Sequence, residues 1–373
     1  MSDGASGRSI PRRKALGRLA LGGLTCATIG CGSGEAAMPP RSNPGKRSWR
    51  MGFSPNPPRF TVEDVLKGIG IWSQRAELVI IHEELPWADL LRGMSAEEVL
   101  NRDKVQLVQF LRGKGLGLHF MLDLTNGLAR EEEAPALVKA GRSLGDPVVQ
   151  ALARDYALAV ERMLAPEWLG LAVETNLIRE IAPAPIYQAV KATAALIEAA
   201  LASSGARARR FVSIQAESAW GRLVMSNKGY LGVAQDLTDF AFTQALGISS
   251  YPYLGWGRPD DLPADYYSRL RGKSNLPVIV TEGGWASASF GPVVSSPENQ
   301  ARYIERHADL LDGVQALAWF QLQFADLDLD TFPAPIPPSL PLFGSIGLAD
   351  PQFKGKPALK AWDVLFRRMV TMR

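Results

Sequence analysis

From Met51 onward, short apolar runs alternate with amphipathic stretches. The runs are MGFSP (51–55), AELVIIH (76–82), GLGLHFMLD (115–123), WLGLAVE (168–174), RFVSIQAE (210–217), LGISSYP (246–252), LPVIVTE (276–282) and VQALAWFQ (314–321). Short runs with so few polar positions predict strands buried on both faces, as in a parallel sheet. Between them the apolar positions recur with a helical period. The clearest stretch, Pro185 to Ala202, aligns Ile186, Ala189, Val190, Ala194, Ile197, Ala200 and Leu201 on one face, with Thr193 as its one polar member. A closing helix is expected from Pro357 to about Val370. Eight strand-then-helix units predict an α/β fold, a (β/α)8 TIM barrel forming one catalytic-type domain over residues 51–373. A doubly wound open sheet is disfavoured, since no GxGxxG turn follows the first strand.

The first 31 residues have another pattern. Basic Arg8, Arg12, Arg13, Lys14 and Arg18 precede or flank an apolar stretch from Leu16 to Ile29, and small residues follow. This is the layout of a secretory signal, too short to span a bilayer comfortably. Arg12-Arg13 with Leu16 resembles a twin-arginine motif. Gly30-Cys31 before GSGE resembles a lipoprotein processing site in which Cys31 takes the lipid; a signal cut elsewhere would leave Cys31 incidental. Residues 32–50, GSGEAAMPPRSNPGKRSWR, predict a flexible tether. The expectation is an exported protein of the bacterial cell envelope, periplasmic or on the outer surface, touching membrane only through a lipid anchor on Cys31.

Composition narrows the chemistry. With 46% hydrophobic and 21% charged residues, the chain is neither disordered nor fibrous. Of its 41 basic and 38 acidic side chains, five and one lie in residues 1–30, so the rest carries a net charge of −1. A near-neutral body gives no footprint for nucleic acid. Both cysteines, Cys26 and Cys31, lie in the signal region, which leaves the body without disulfide or thiol chemistry. Three histidines without an HxH or HExxH pair disfavour a zinc hydrolase, and no metal is expected.

In parallel barrels the chemistry lies at the C-terminal ends of strands. The fourth run ends in Glu174 (LGLAVETN) and the seventh in Glu282 (VIVTEGGW). Strands four and seven stand on opposite sides of an eight-stranded ring, so the two carboxyl groups can face each other over its mouth. Glycoside hydrolysis needs such a pair across the scissile bond. A strand-end glutamate can instead simply cap or salt-bridge a loop.

These residues resemble the glycoside hydrolases of clan A, whose acid/base and nucleophile glutamates follow strands four and seven. Within the clan, GISSYPYLGW (247–256) and PVIVTEGGW (277–285) look like the corresponding stretches of the endo-β-1,4-galactanase family, and FGSIGLADPQFKGKPALKAW resembles the close of many clan-A domains. The resemblance covers units four and six to eight. It implies Glu174 as acid/base, Glu282 as nucleophile, Tyr251 as a hydrogen-bond partner of the nucleophile and Trp319 as a sugar platform, with a carbohydrate substrate and no cofactor. Two positions depart from the clan. Val173 stands where an Asn usually precedes the acid/base, with Asn176 nearby but two residues late. The usual Arg after strand two is replaced by the stretch IIHEELPW, with His82, Glu83 and Glu84.

Other polar and aromatic residues are placed to line a cleft. Trp285, three residues beyond Glu282, is the leading sugar-stacking candidate, ahead of Trp87, Trp220, Tyr253 and Trp256. Each of these rings also makes an ordinary core residue. His82, Asp123, Gln215 and Glu217 end strands and can bind hydroxyls or merely satisfy loop backbone. Asp326, Asp328 and Asp330 alternate as in a calcium loop but lack its glycine and terminal Glu, so a solvated loop is expected. The Pro-rich stretch 331–341 predicts a stiff segment, either a cleft wall or a surface excursion. The reading that follows is a retaining glycoside hydrolase acting on a β-linked polysaccharide or oligosaccharide. Its first rival is a non-catalytic carbohydrate-binding barrel with a decayed site; a protein-interaction scaffold is the weaker one.

Overall fold

The computed structural model describes residues 45–223, 227–332 and 334–371. The expected signal sequence, Cys31 and the expected tether up to residue 44 lie outside the described residues. Eight parallel strands close into a barrel: β1 Arg50–Phe53, β2 Leu78–Glu84, β3 Gly117–Asp123, β4 Trp168–Ala172, β5 Arg209–Gln215, β6 Leu246–Ser250, β7 Val278–Gly283 and β8 Ala316–Gln321. β8 pairs with β1 through Arg50↔Ala318 to Phe53↔Gln321, which closes the ring. All eight apolar runs become these strands because each is covered on both faces.

Within a strand the side chains divide by parity. In β3, Leu118, Phe120 and Leu122 pack outward against the helices. Met121 points inward and joins Leu78, Ile80, Trp168, Phe211, Ile279 and Phe320 in the barrel's own core. Gly52 and Gly170 make room for those large side chains: a Cβ on Gly52 would lie 2.7 Å from the Phe320 ring, and one on Gly170 would lie 2.5 Å from Met121. The same parity brings Asp123 to the inner rim. β2 follows it too: Glu83 points out, bonded by the Tyr156 hydroxyl at 2.6 Å and paired with Lys104, while His82 and Glu84 turn to the mouth.

The helix expected from Pro185 to Ala202 spans Ala184–Ser203, with Thr193 buried and its hydroxyl donating to the Ala189 carbonyl at 2.8 Å. Helices Val62–Trp72, Pro147–Leu164 and Pro297–Asp312 start on Thr61, Asp146 and Ser296, whose side chains accept from backbone N–H groups of the first turn. Each such cap stabilises by about 1 kcal/mol. None of the described helices is long and apolar enough to cross a membrane.

Two expected boundaries change. The last helix stops at Phe366, and Met369–Val370 forms a short parallel strand with Lys46–Arg47. Residues 46–50, expected in the tether, are therefore part of the folded body. Trp49 is fully buried, with its indole N–H donating to Asp312 at 3.0 Å, and the buried Arg47 guanidinium reaches Glu77 and the Trp49 carbonyl. A basic, Ser-containing stretch looks like linker until its Trp and Arg find partners far along the chain. This clasp lies at the N-terminal ends of the strands, opposite the mouth.

Candidate active site

Glu174 follows β4 after a register slip between Gly170 and Ala172. Its backbone is left-handed, φ 49° and ψ 46°, immediately before the helix Thr175–Ile181. A non-glycine residue in that conformation costs about 1–2 kcal/mol. Its N–H donates to the Ser213 hydroxyl on β5 at 3.0 Å, which helps hold it there. Glu282 lies within β7 and is followed by Gly283 (φ 155°) and Gly284 (φ 153°). A Cβ on Gly283 would sit 2.1 Å from the Ser250 carbonyl, so only glycine lets the chain pass this close to β6.

A closed ring of polar contacts surrounds the two carboxyl groups. Ser249, on β6, places its hydroxyl oxygen 2.6 Å from Glu174 Oε1 and 3.0 Å from Glu282 Oε1. Those two oxygens therefore lie at most about 5.6 Å apart. Arg130 donates from Nε to Glu174 Oε2 at 2.7 Å and from one terminal nitrogen to both oxygens of Asp123, at 2.7 and 2.9 Å. His82 Nδ1 stands 3.0 Å from Glu282 Oε2, and its Nε2 lies 3.6 Å from Asp123. Burial alone would lower the Arg130 guanidinium, but the facing carboxylates of Asp123 and Glu174 hold it above its ordinary value.

The ring floors a pocket enclosing about 680 Å³ of empty space, part of it open to solvent. Its walls include Ser54, Asn56, Glu84, Leu128, Tyr251 and Phe343. The segment after β8 supplies one wall. The Phe343 ring meets Tyr251 edge-on at 4.9 Å, the Tyr253 hydroxyl donates to the Leu342 carbonyl at 2.7 Å, and Gln323 donates to the Phe343 carbonyl at 2.8 Å. Ser339 reaches the Leu128 carbonyl in the β3 loop at 3.5 Å.

Of the residues singled out from the sequence, Glu174, Glu282, His82, Glu84 and Tyr251 line this pocket, and Asp123 joins the ring at its floor through Arg130. Asn176, Gln215 and the Trp rings do not line it. Asn176 is 2% exposed; its amide donates to the Gln215 carbonyl at 2.9 Å and accepts from the Gln215 N–H at 2.7 Å, which ties the post-β4 helix to β5. Gln215 caps the helical turn Ala216–Ala219 and bonds Glu217, and it does not line the pocket. Trp319 is fully buried on the outer face of β8, against His307, Trp362 and Trp49. Trp285 is 1% exposed, packs on Tyr303 and Tyr253, and gives its indole N–H to Ser295 at 2.9 Å. Trp87, Trp220 and Trp256 are likewise core rings. Neither sugar platform expected from the sequence borders the pocket; Tyr251 and Phe343 are the aromatic rings that do.

The acidic triplet after β8 is not a solvated loop throughout. Asp326 is largely buried and bonded by Lys356 at 2.8 and 3.0 Å; burial pushes its carboxyl up to about 6, against the pull of that ammonium group. Asp328 lies 3.6 Å from Arg59. Among the described residues no group of three His, Cys, Asp or Glu side chains could hold a metal ion.

Sequence reading missed Ser249 and Arg130. Ser249 had a signal, since two residues before Tyr251 on a strand is the same face. Arg130, seven residues beyond Asp123 in a long loop, had none.

No protein-family model and no curated protein matches the chain. Solved structures do. A variant GH5_18 protein of Bifidobacterium longum subsp. longum, in complex with Manβ1-4GlcNAc, is similar with a TM-score of 0.60 and 15% identity over 87% of this chain and 80% of that one. A GH5_18 protein of Streptomyces cattleya in complex with GlcNAc gives 0.62 and 16% over 87% and 82%. An exo-β-1,4-mannosidase of an Opitutaceae bacterium gives 0.63 and 16% over 86% of this chain and 59% of its own. At these identities the likeness is one of fold: the chain is a closed (β/α)8 barrel similar to these structures.

Proposed function

We propose that the protein is a retaining glycoside hydrolase for β-linked oligosaccharide or polysaccharide, with Glu174 as acid/base and Glu282 as nucleophile. The observation that carries this reading is the placement of both carboxyl groups on one serine hydroxyl at the floor of a pocket, their inner oxygens at most about 5.6 Å apart. Retaining enzymes hold their carboxyl groups about 5–5.5 Å apart, and inverting ones about 6.5–9.5 Å. The left-handed backbone at Glu174 adds support, because strain of this kind collects at functional sites.

In the first step Glu282 attacks the anomeric carbon, the glycosidic bond breaks, and the leaving oxygen takes the proton of Glu174. In the second, Glu174 removes a proton from water, the water oxygen attacks the same carbon, and Glu282 leaves as a carboxylate. His82 Nδ1, beside Glu282 Oε2, orients that carboxylate. The wall formed by Phe343 and the Ser339–Leu128 contact favours a substrate entering by a chain end. The Manβ1-4GlcNAc held by one similar barrel and the exo-β-1,4-mannosidase among the others make aryl β-mannosides and Manβ1-4GlcNAc the first substrates to try. The signal sequence, the lipid on Cys31 and a cell-envelope location belong to the same proposal. It agrees with the position of the terminal clasp, which starts the described chain at the pole opposite the pocket.

A second reading, a carbohydrate-binding barrel without turnover, is favoured by two facts. Asn176 is committed to β5, so it does not replace the Asn absent at Val173, and Arg130 is bonded to the carboxyl that must act as an acid. Glu174→Gln separates the two. In a hydrolase it lowers kcat by about 10²–10⁴-fold. A wild type that binds the sugar but releases no product, with Glu174→Gln binding it equally well, would establish the binder instead.

A further inference from the structure

We propose, building on the reading of Glu174 as acid/base, that Ser249 is a positioning residue whose hydroxyl keeps the two glutamates in opposite protonation states and turns its proton from one to the other as the reaction proceeds.

Ser249 is fully buried, and its hydroxyl has only the two carboxyl contacts, at 2.6 and 3.0 Å, among the described residues. A hydroxyl has one proton to give and lone pairs to receive with. It can donate to one carboxylate only. With both glutamates ionised, the second contact would set a lone pair against an anion at hydrogen-bond distance. Both contacts become bonds when one carboxyl carries a proton and donates it to Ser249, which donates in turn to the other. The outer oxygens face nitrogen groups, Glu174 Oε2 the Arg130 Nε and Glu282 Oε2 the His82 Nδ1. The shared proton therefore belongs on the inner side, where Ser249 stands. Asp123, behind Arg130 and His82, and Glu84, on the pocket wall, are further charged groups around the pair among the described residues.

The productive order runs from protonated Glu174 to Ser249 to ionised Glu282. Once Glu282 is esterified and Glu174 has lost its proton to the leaving sugar, the anion is Glu174, and the hydroxyl turns to it. When Glu174 takes a proton from water and Glu282 departs, the hydroxyl turns back. No proton is gained or lost by Ser249 in the cycle; one O–H bond rotates twice.

The test uses Ser249→Ala and Ser249→Thr in the full chain, with two readouts. Removing the hydroxyl takes a donor from the ionised nucleophile, which raises its titration, and an acceptor from the protonated acid, which lowers it. The bell-shaped profile of kcat/KM on an aryl β-glycoside should narrow from both sides, each limb moving inward by about one pH unit, with the maximum down about tenfold. Ser249→Thr should restore both limbs. Infrared difference spectra should show a protonated carboxyl band in the wild type that shifts in Ser249→Ala and is absent in Glu174→Gln. A Ser249→Ala enzyme with unchanged limbs and an unchanged band overturns the proposal, even if its rate falls. A wild type that cleaves no β-glycoside overturns the hydrolase reading instead, and Ser249 is then judged by the band alone.

Discussion

Strand β6 ends in two serines on opposite faces, and each meets a carboxyl group. Ser249 faces inward, between Glu174 and Glu282. Ser250 faces outward, where its hydroxyl lies 3.3 Å from Glu217, 3.1 Å from the Tyr266 hydroxyl and 3.3 Å from that of Tyr267, which in turn contacts His307 Nε2 at 2.8 Å. The inner cluster opens on a pocket and holds three carboxyl groups, Glu174, Glu282 and Asp123, with an arginine. The outer one holds a single carboxyl, sealed by tyrosines. Burial pushes the Glu217 carboxyl up against the hydrogen bonds from Tyr266, Gln215 and backbone, and lowers His307 to about 3. Similar residue types thus serve two ends, set by access: where no ligand can enter, the polar groups hold strands and helices together; where one can, they can act on it.

Glu217→Ala is the largest break in this comparison. It strips the carboxyl from Tyr266, Ser250 and Gln215 and leaves a cavity, which should lower stability by about 3–5 kcal/mol. Urea titration measures that loss. The kcat/KM of the folded fraction should stay within about threefold of wild type, since Glu217 does not border the pocket. A loss of activity without a loss of stability would move Glu217 into the inner cluster.

The outer cluster also has a pH signature. His307 is fully buried, with its titration lowered below the ordinary histidine value of 6.5 to about 3. A group lowered in the folded state contributes stability that is complete above the unfolded value and is lost as pH falls towards the folded one. Between about pH 6.5 and 3, His307 should thus cost up to about 1.4 kcal/mol per pH unit. His119, inside the barrel and lowered by burial and by Arg50, adds a cost of the same sign. His307→Gln should be less stable at neutral pH but lose stability less steeply on acidification. Parallel curves for the two proteins between pH 6.5 and 4.5 would show that His307 is not held neutral.

What the sequence revealed follows the same division. The eight strands were legible because burial on both faces leaves runs with almost no polar residue, and Glu174 and Glu282 stood out as charges at the ends of such runs. The same uniformity hides orientation. In VQALAWFQ no polar alternation marks which residues point inward, so Trp319 reads as a platform although Ala318 and Phe320 are the inward pair. Loop-borne partners are hidden for another reason. Arg130 closes on Asp123 and Glu174, and Lys356 on Asp326, through chain reversals with no period to read. Gln215 and Asn176 look like pocket residues because their mutual hydrogen bonds, 39 residues apart in sequence, appear only in the fold.

The smallest expected effect concerns Trp285, the strongest platform candidate by sequence. Its ring is covered by Tyr303 and Tyr253, its N–H is taken by Ser295, and Gln300 donates to its carbonyl at 2.9 Å. Trp285→Phe keeps an aromatic ring in that space and removes one buried hydrogen bond, for a loss of about 1–2 kcal/mol in stability. If sugar never touches the ring, KM and kcat on any β-glycoside cleaved by the wild type should stay within about twofold. The position carries a sharper question than its size suggests. A tenfold rise in KM at unchanged thermal stability would mean that the wall between Trp285 and the pocket opens when substrate binds, and the sealed outer layer would then be part of the sugar site.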